Sequence, residues 1–283
     1  MKKYLVFGVC LGLLVLAGCR DKDLDMTLRQ TVLYEGLEYD EITAEDAWCV
    51  TVLQDAEKSY VELEYSAFLE DYLDVNLTGT KLSIGLDKKY NLPNNTVINA
   101  TVHTPMVRTL HFSDAAFAAL DNLNMETALT LELDGAASCR GGHFQGTADI
   151  KLSDASTCVE FYFDGTDCQL ELADASIFKG CLNVSGDLHL DIHDASYMTE
   201  YSGEINHAVA KVSENSHLNM ATSWINRMHI DINALSEATV NVVESLEGSV
   251  SEVSRLYYSG DPTLNVDCDE TSILQAVEYP NPE

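Results

Sequence analysis

The sequence predicts an all-β chain, a β-solenoid of stacked parallel strands with about 20 residues per rung. Three observations predict it. A short motif recurs as Asp114-Ala115-Ala116, Gly135-Ala136-Ala137, Asp154-Ala155-Ser156, Asp174-Ala175-Ser176, Asp194-Ala195-Ser196 and Glu214-Asn215-Ser216, with weaker copies at Glu237-Ala238-Thr239 and Gly260-Asp261-Pro262. The intervals are 21, 19, 20, 20, 20, 23 and 23 residues, and a fixed period near 20 marks a solenoid. Next, each motif follows strict apolar–polar alternation, as in Ile150-Lys151-Leu152-Ser153 and Leu188-His189-Leu190-Asp191-Ile192-His193, which is a strand with one buried face. Finally, Gly146, Gly165, Gly186 and Gly203 punctuate the far side of each repeat, and no long helical periodicity follows residue 18. A leucine-rich repeat shares the period but needs an asparagine ladder and helical segments that are missing here.

In chain order, the first element is an export signal. Lys2 and Lys3 precede an apolar run from Tyr4 to Leu16, which ends in Leu16-Ala17-Gly18-Cys19. The run is too short for an ordinary membrane span, and small residues before a cysteine form a lipobox. The reading is a signal peptide over 1–18 with lipidation at Cys19, which would anchor the chain in outer-membrane lipid. Residues 19–28 are a charged tether whose Arg20-Asp21-Lys22-Asp23-Leu24-Asp25 is similar to the acidic signals that send Bacteroidetes lipoproteins to the outer cell surface. The remainder, 29–283, is expected to be one β-helix domain.

Its first part alternates as well, with longer loops. Trp48–Val52, Tyr60–Tyr65, Leu73–Leu77, Gly79–Ile84 and Val97–Val102 read as strands, and Pro105 breaks the pattern before Val107–Phe112. Over the repeats, aligning the motifs predicts columns. Leu131, Ile150, Leu170, Leu190, Ala210 and Ile230 stack inside. One position on, His111, Glu132, Lys151, Glu171, Asp191, Lys211 and Asp231 stack outside, as either a ladder of alternating charge or a solvated face. Ser156, Ser176, Ser196 and Ser216 form a buried hydroxyl ladder.

The corner column contains Asp114, Asp154, Asp174, Asp194 and Glu214, with Gly135, Glu237 and Gly260 at the aligned positions. Aspartate and glycine tolerate a left-handed backbone, so the column is read as the φ > 0 residue of each corner. The alternative is a stripe that binds a cation such as Ca²⁺, since carboxylates one strand spacing apart repel unless something bridges or solvates them. The GGxGxDxUx pattern of calcium-binding β-rolls is absent.

Charge restricts partners further. The chain carries 46 acidic and 16 basic residues for a net charge of −30, which disfavours nucleic acid and anionic lipid surfaces. Of eight cysteines, Cys10 lies in the leader and Cys19 takes the lipid. Cys49, Cys139, Cys158, Cys168, Cys181 and Cys268 show no CxxC pair or zinc spacing and read as thiols packed like small hydrophobes, though export would permit disulfides. No cofactor motif is legible. Asp187, His189, Asp191 and His193 share one outward face, with Glu171 and Lys211 on neighbouring rungs. An acid–base or metal site can be imagined there, but no arginine is present to hold an acidic sugar. Tyr197 and Tyr201 offer aromatic faces for sugar stacking.

At this point the chain resembles a known family. Asp71-Tyr72-Leu73-Asp74-Val75, Gly79-Thr80-Lys81-Leu82-Ser83-Ile84, Pro105 with Leu110-His111-Phe112-Ser113-Asp114-Ala115, and the late Leu256-Tyr257-Tyr258-Ser259-Gly260-Asp261-Pro262 are similar to the DUF2807 or head GIN domain, over roughly 45–275. Its members are exported Bacteroidetes proteins described as autotransporter adhesins. The family more often has Ser-Gly-Ala-Ser at the corners, so this chain is the more acidic. The resemblance implies a right-handed single-stranded parallel β-helix and an adhesion role. The expected function is a cell-surface lipoprotein that binds a glycan or a host or cell-surface protein without catalysis. The alternatives are a structural envelope protein without a dedicated ligand and a polysaccharide-active β-helix enzyme.

Overall fold

Alternation builds the coils. In Ile177–Ile192 every second residue over Leu188–Ile192 is buried, and the same holds for Leu170 and Leu172 in Thr157–Leu172. Neither strand can bury its apolar face alone, so each stacks on the next coil. The computed structural model describes residues 3–4, 28–36, 38–87 and 92–278. It is 66% strand and 2% helix, and its parallel coils form a β-solenoid of about 8 turns, roughly 20 residues apart. The expected signal peptide beyond residues 3–4, the lipidation site Cys19 and residues 20–27 of the tether lie outside the described residues. Among the described residues no helix is long and apolar enough to cross a membrane.

The register follows the predicted columns. Leu131 pairs with Ile150, Ile150 with Leu170, Leu170 with Leu190, Leu190 with Ala210 and Ala210 with Ile230, all in parallel. Each of these residues is at most 3% exposed. Along the same interior Phe144 stacks on Phe161 and Phe161 meets Phe178 edge-on, with ring centroids 5.3 and 5.8 Å apart. The serine column is fully buried and longer than expected, running on through Ser236 and Ser254. Its hydroxyls cap backbone groups of adjacent coils: Ser216 Oγ accepts from the Ser196 amide at 3.1 Å, and Ser236 Oγ from the Ser216 amide at 3.2 Å. Ser216, Ser236 and Ser254 thus each satisfy the amide of the serine one coil before, whereas the hydroxyls of Ser156 and Ser176 donate to Leu133 O and Leu152 O.

The corners of the repeat are two-residue turns with both central residues left-handed. Asp114, Gly135, Asp154, Asp174, Asp194 and Glu214 have φ of 49–58°, and Ala115, Ala136, Ala155, Ala175 and Ala195 have φ of 62–67°. The turn closes through hydrogen bonds such as Ser156 N to Ser153 O at 3.1 Å. This is the type I′ arrangement. Successive corners are tied in turn, Ala155 N donating to Asp174 O and Ala175 N to Asp194 O, both at 2.8 Å.

The corners depart from their expected positions at three places. Glu237 and Gly260 are not corners: the left-handed pairs lie at Ala234-Leu235 and Glu252-Val253. The period stays at 20 and then falls to 18 because Ser236 and Ser254, one residue after each pair, keep the serine column in register. Glu237 instead opens the strand Glu237–Val250, and Gly260 marks a close approach, where an added Cβ would lie 2.0 Å from Val242 O. In addition, an earlier corner at Asp46-Ala47 stands directly on the Asp114 corner, Ala47 N donating to Asp114 O at 3.0 Å.

The N-terminal part, finally, is not a simple continuation of the stack. Glu41–Ala44 and Cys49–Gln54 form a coil that pairs in parallel with Thr109–Phe112 and Phe117–Asn122. The chain between makes an excursion. Lys81–Leu86 and Ile98–Thr104 lie parallel on the outer edge of that coil, and antiparallel Leu73–Thr78, Tyr60–Ser66 and Arg29–Glu35 cover them. This cap buries Leu69, Leu63 and Trp48 and occupies a sheet edge that would otherwise present unpaired backbone.

Candidate functional site

The outward columns are where side chains meet solvent, and the structure sorts them into three groups. The first is the charged column. Glu132 pairs with Lys151, Lys151 with Glu171, Asp191 with Lys211 and Lys211 with Asp231, in register as expected. Its ion pairs, however, run elsewhere. His111 lies 3.1 Å from Asp134 and 3.9 Å from Glu132, whereas among the described residues neither Lys151 nor Lys211 makes a salt bridge. The lysines are solvated and the column is a hydrated face.

Asp187, His189, Asp191 and His193 do share the outward face, but they do not converge on one point. Asp187 accepts a hydrogen bond from His207 on the next coil at 2.8 Å, and this bond, helped by the charges of His207, His189 and Arg227, holds its carboxyl below the ordinary value. His193 bonds Asp194 at 2.8 Å. Partial burial pulls its pKa down, but the hydrogen bond and the charges of Asp191, Asp194 and Glu171 outweigh burial and raise it. His189 and Asp191 line a shallow depression of about 340 Å³ with Glu171 and Lys211. His207 and His193 are thus each hydrogen-bonded to one carboxylate, Asp187 and Asp194.

One corner pair does draw three ligand atoms together. His193, Asp194 and Glu214 each present one atom within 4.8 Å of the others. The hydrogen bond with His193, and after it one shared with Glu214, lower the pKa of Asp194, while the shared bond raises that of Glu214. Three exposed or half-buried side chains can hold a hydrated divalent cation only weakly. Among the described residues, Asp114, Asp154 and Asp174 occupy the same exposed corner column without such a cluster.

The third group has no motif in the sequence. Asp164 pairs with Asn183, Val184 with Ile205, and Glu204 with Trp224, so Asp164, Asn183, Glu204 and Trp224 form one outward column across four coils. Asn206 and Asn226 stand two residues beyond Glu204 and Trp224. Together they line a groove of about 1160 Å³. Trp224 is 39% exposed, and its amide donates to Gly203 O at 2.7 Å. A signal was available: Ile225 is an inward residue, so alternation puts Trp224 outside. Tyr197 and Tyr201 are exposed too, but Tyr197 leans on His217 at 5.6 Å and neither lines the groove. The cysteines add no chemistry. All six are free thiols, with Cys139, Cys158 and Cys168 buried as small hydrophobes and Cys49 and Cys268 exposed.

Residues 38–262 match the family described as "Putative auto-transporter adhesin, head GIN domain". The chain belongs to the head GIN domain family. Among solved structures, this head GIN chain is similar to a "putative adhesin" from Parabacteroides merdae (11% identity, 89% of this chain and 97% of that one, TM-score 0.63). It is similar to a "putative adhesin" from Parabacteroides distasonis (12%, 88% and 97%, TM-score 0.61) and to a "Putative lipid binding protein" from the same species (14%, 89% and 98%, TM-score 0.66). At these identities the likeness concerns the fold. No curated protein matches the chain in sequence. The head GIN solenoid therefore supplies a rigid frame, and the chemistry of its outward columns belongs to this chain.

Proposed function

We propose that this head GIN chain is a lipid-anchored cell-surface protein that binds its partner without catalysing a reaction on it. The observation that carries the reading is the pairing of the titratable groups. A polysaccharide-cleaving site needs an acid and a base converging on one bond. Here Asp187 is taken by His207 and His193 by Asp194, on a hydrated strand face. What the coils offer instead is a broad rigid surface with exposed Tyr162, Tyr201 and Trp224, side chains that contribute large contact area at small entropic cost. Membership of a family described as adhesins supports the same role. Cys19 would hold the domain at the outer membrane, and partners would be glycans or proteins of a host or neighbouring cell rather than nucleic acid.

The experiment is a screen of the soluble mature domain against immobilised glycans and host matrix proteins, with the bound material recovered and analysed. Saturable binding with chemically unchanged ligand is the expected result. Shortened or eliminated glycan products would overturn the non-catalytic reading.

A further inference from the structure

We propose that the groove floored by Asp164, Asn183, Glu204 and Trp224 is a binding site for a neutral oligosaccharide of pyranose units. The inference rests on the binding role above and gives it a place and a ligand class.

Four features of the groove carry it. First, Trp224 presents a partly exposed indole at one end, while Trp48, the other tryptophan of the chain, is fully buried. Exposed Val243 lies in the same groove, so one end is an apolar platform suited to the C–H face of a sugar ring. Second, the remaining floor is rich in amides. An amide both donates and accepts, which is what a ring of hydroxyls requires. Asn183 Oδ1 accepts from the Glu204 amide at 3.1 Å, which fixes the side chain and leaves its two N–H donors for a ligand. Among the described residues Asn206 and Asn226 make no side-chain hydrogen bond to protein, so both amides are available.

Third, the charge of the groove selects against acidic sugars. Asp164 and Glu204 line it and no lysine or arginine among the described residues does, within a chain of net charge −30. A uronate or sialic acid would bring a carboxylate against two carboxylates without a cation to offset them. Neutral hydroxyls, by contrast, can donate to both. Fourth, the repeat length fits. Outward residues in one column recur about every 4.8 Å, close to the advance of an extended pyranose chain, so the groove offers one polar row per sugar across four coils. The floor is rigid because Val184, Ile205 and Ile225 beneath it are at most 1% exposed. Preorganisation of this kind reduces the entropic cost of binding.

The test uses the single exposed tryptophan. Acrylamide quenching of the mature domain reports Trp224, since Trp48 is shielded. It is measured while titrating cellohexaose, mannohexaose and, as charged control, hexagalacturonate. We expect at least one neutral hexasaccharide to protect Trp224 saturably, with no protection by hexagalacturonate. Affinity, followed by calorimetry, should fall at least tenfold in Trp224→Ala and in Asn206→Ala, and stay within twofold in Tyr197→Ala, which lies outside the groove. Circular dichroism melts of each variant keep loss of binding separate from loss of fold. Tighter binding of hexagalacturonate than of the neutral sugars would overturn the charge argument. A domain that binds its partner in the screen above without protecting Trp224 would overturn this site while leaving the binding role intact. A domain that binds nothing in either assay would overturn both.

Discussion

Glu200 ends the strand Tyr197–Glu200 with only 2% of its surface exposed. Its carboxyl accepts from Ser223 Oγ at 2.5 Å and from the Leu182 amide at 3.1 Å. Burial raises its pKa from 4.5 to about 7, against the opposing effect of those two bonds. A carboxyl raised in the folded state stabilises the fold fully below its unfolded value of 4.5, and that contribution is lost as pH rises through about 7, an effect of about 3 kcal/mol. Glu200→Gln keeps one acceptor and one donor but no titration. In urea unfolding we expect the variant and the wild type to be similar near pH 4, and the variant to gain on the wild type by about 2–3 kcal/mol near pH 8. A stability difference that does not change with pH would refute the assignment. Neighbouring Gly203 is constrained by the same packing, since an added Cβ would lie 2.1 Å from Leu182 O and 2.2 Å from Glu200 Oε1. Gly203→Ala should cost about 1–3 kcal/mol in the same assay, because backbone must shift to admit the methyl.

At the scale of the element, the corner is the recurring unit, and its backbone explains its residues. Two consecutive left-handed residues are costly for anything but glycine. Asp174, at φ 53°, and Ala175, at φ 63°, are both exposed and therefore report that cost with little else changed. Asp174→Gly should be neutral or stabilising by up to about 1 kcal/mol, since it relieves the backbone and removes a charge next to the other corner carboxylates. Asp174→Val should destabilise by about 1–2 kcal/mol, because a β-branched side chain resists φ > 0. Ala175→Gly should stabilise by about 0.5–1 kcal/mol. Thermal melts with and without millimolar calcium complete the series. If the aspartates serve the turn, calcium leaves every melting temperature in place. A calcium-dependent rise that disappears in Asp174→Gly would identify a metal stripe by linkage. The corners were legible where Asp-Ala-Ser is spelled out. They were misplaced at Glu237 and Gly260 because Ala234-Leu235 and Glu252-Val253 make the same turn from unrelated letters. The buried serine that follows each of these turns is the more faithful marker, since its hydroxyl accepts from the serine amide of the preceding coil.

For the whole molecule, the fold is a frame whose two ends are built differently. The antiparallel strands Arg29–Glu35 and Tyr60–Ser66 close the N-terminal edge, while Thr263–Cys268 and Ile273–Ala276 form the last coil with much of their surface exposed. Val61 and Leu63 are fully buried in the cap. Leu63→Ala should therefore cost about 2–5 kcal/mol. In a stacked array the loss should spread to the adjoining coils, read as early hydrogen exchange at Cys49–Gln54 relative to Thr157–Leu172. Anchoring is tested separately. Cys19→Ala should abolish incorporation of a fatty-acid label and leave the domain's thermal unfolding unchanged. Equal labelling of the variant and the wild type would refute lipidation at Cys19.

Local physics made much of this protein legible in one dimension. Alternation decided which of Leu170, Glu171 and Leu172 faced the core, and the 20-residue spacing decided that Ile150 lies beside Leu170 and Leu170 beside Leu190. Both follow from the period of a strand and the repeat of a coil, which need no knowledge of distant contacts. Only the tertiary structure decided how the strands from Arg29–Glu35 to Ile98–Thr104 close the stack. An alternating segment such as Tyr60–Ser66 reads the same whether its neighbour runs parallel or antiparallel, because pairing direction leaves no trace in a period of two. It also decided the candidate site. Asp164, Asn183, Glu204 and Trp224 share no motif and become one groove only when the bulges between the first three coils bring Asp164, Asn183 and Glu204 into one column, with Trp224 continuing it in unbroken register.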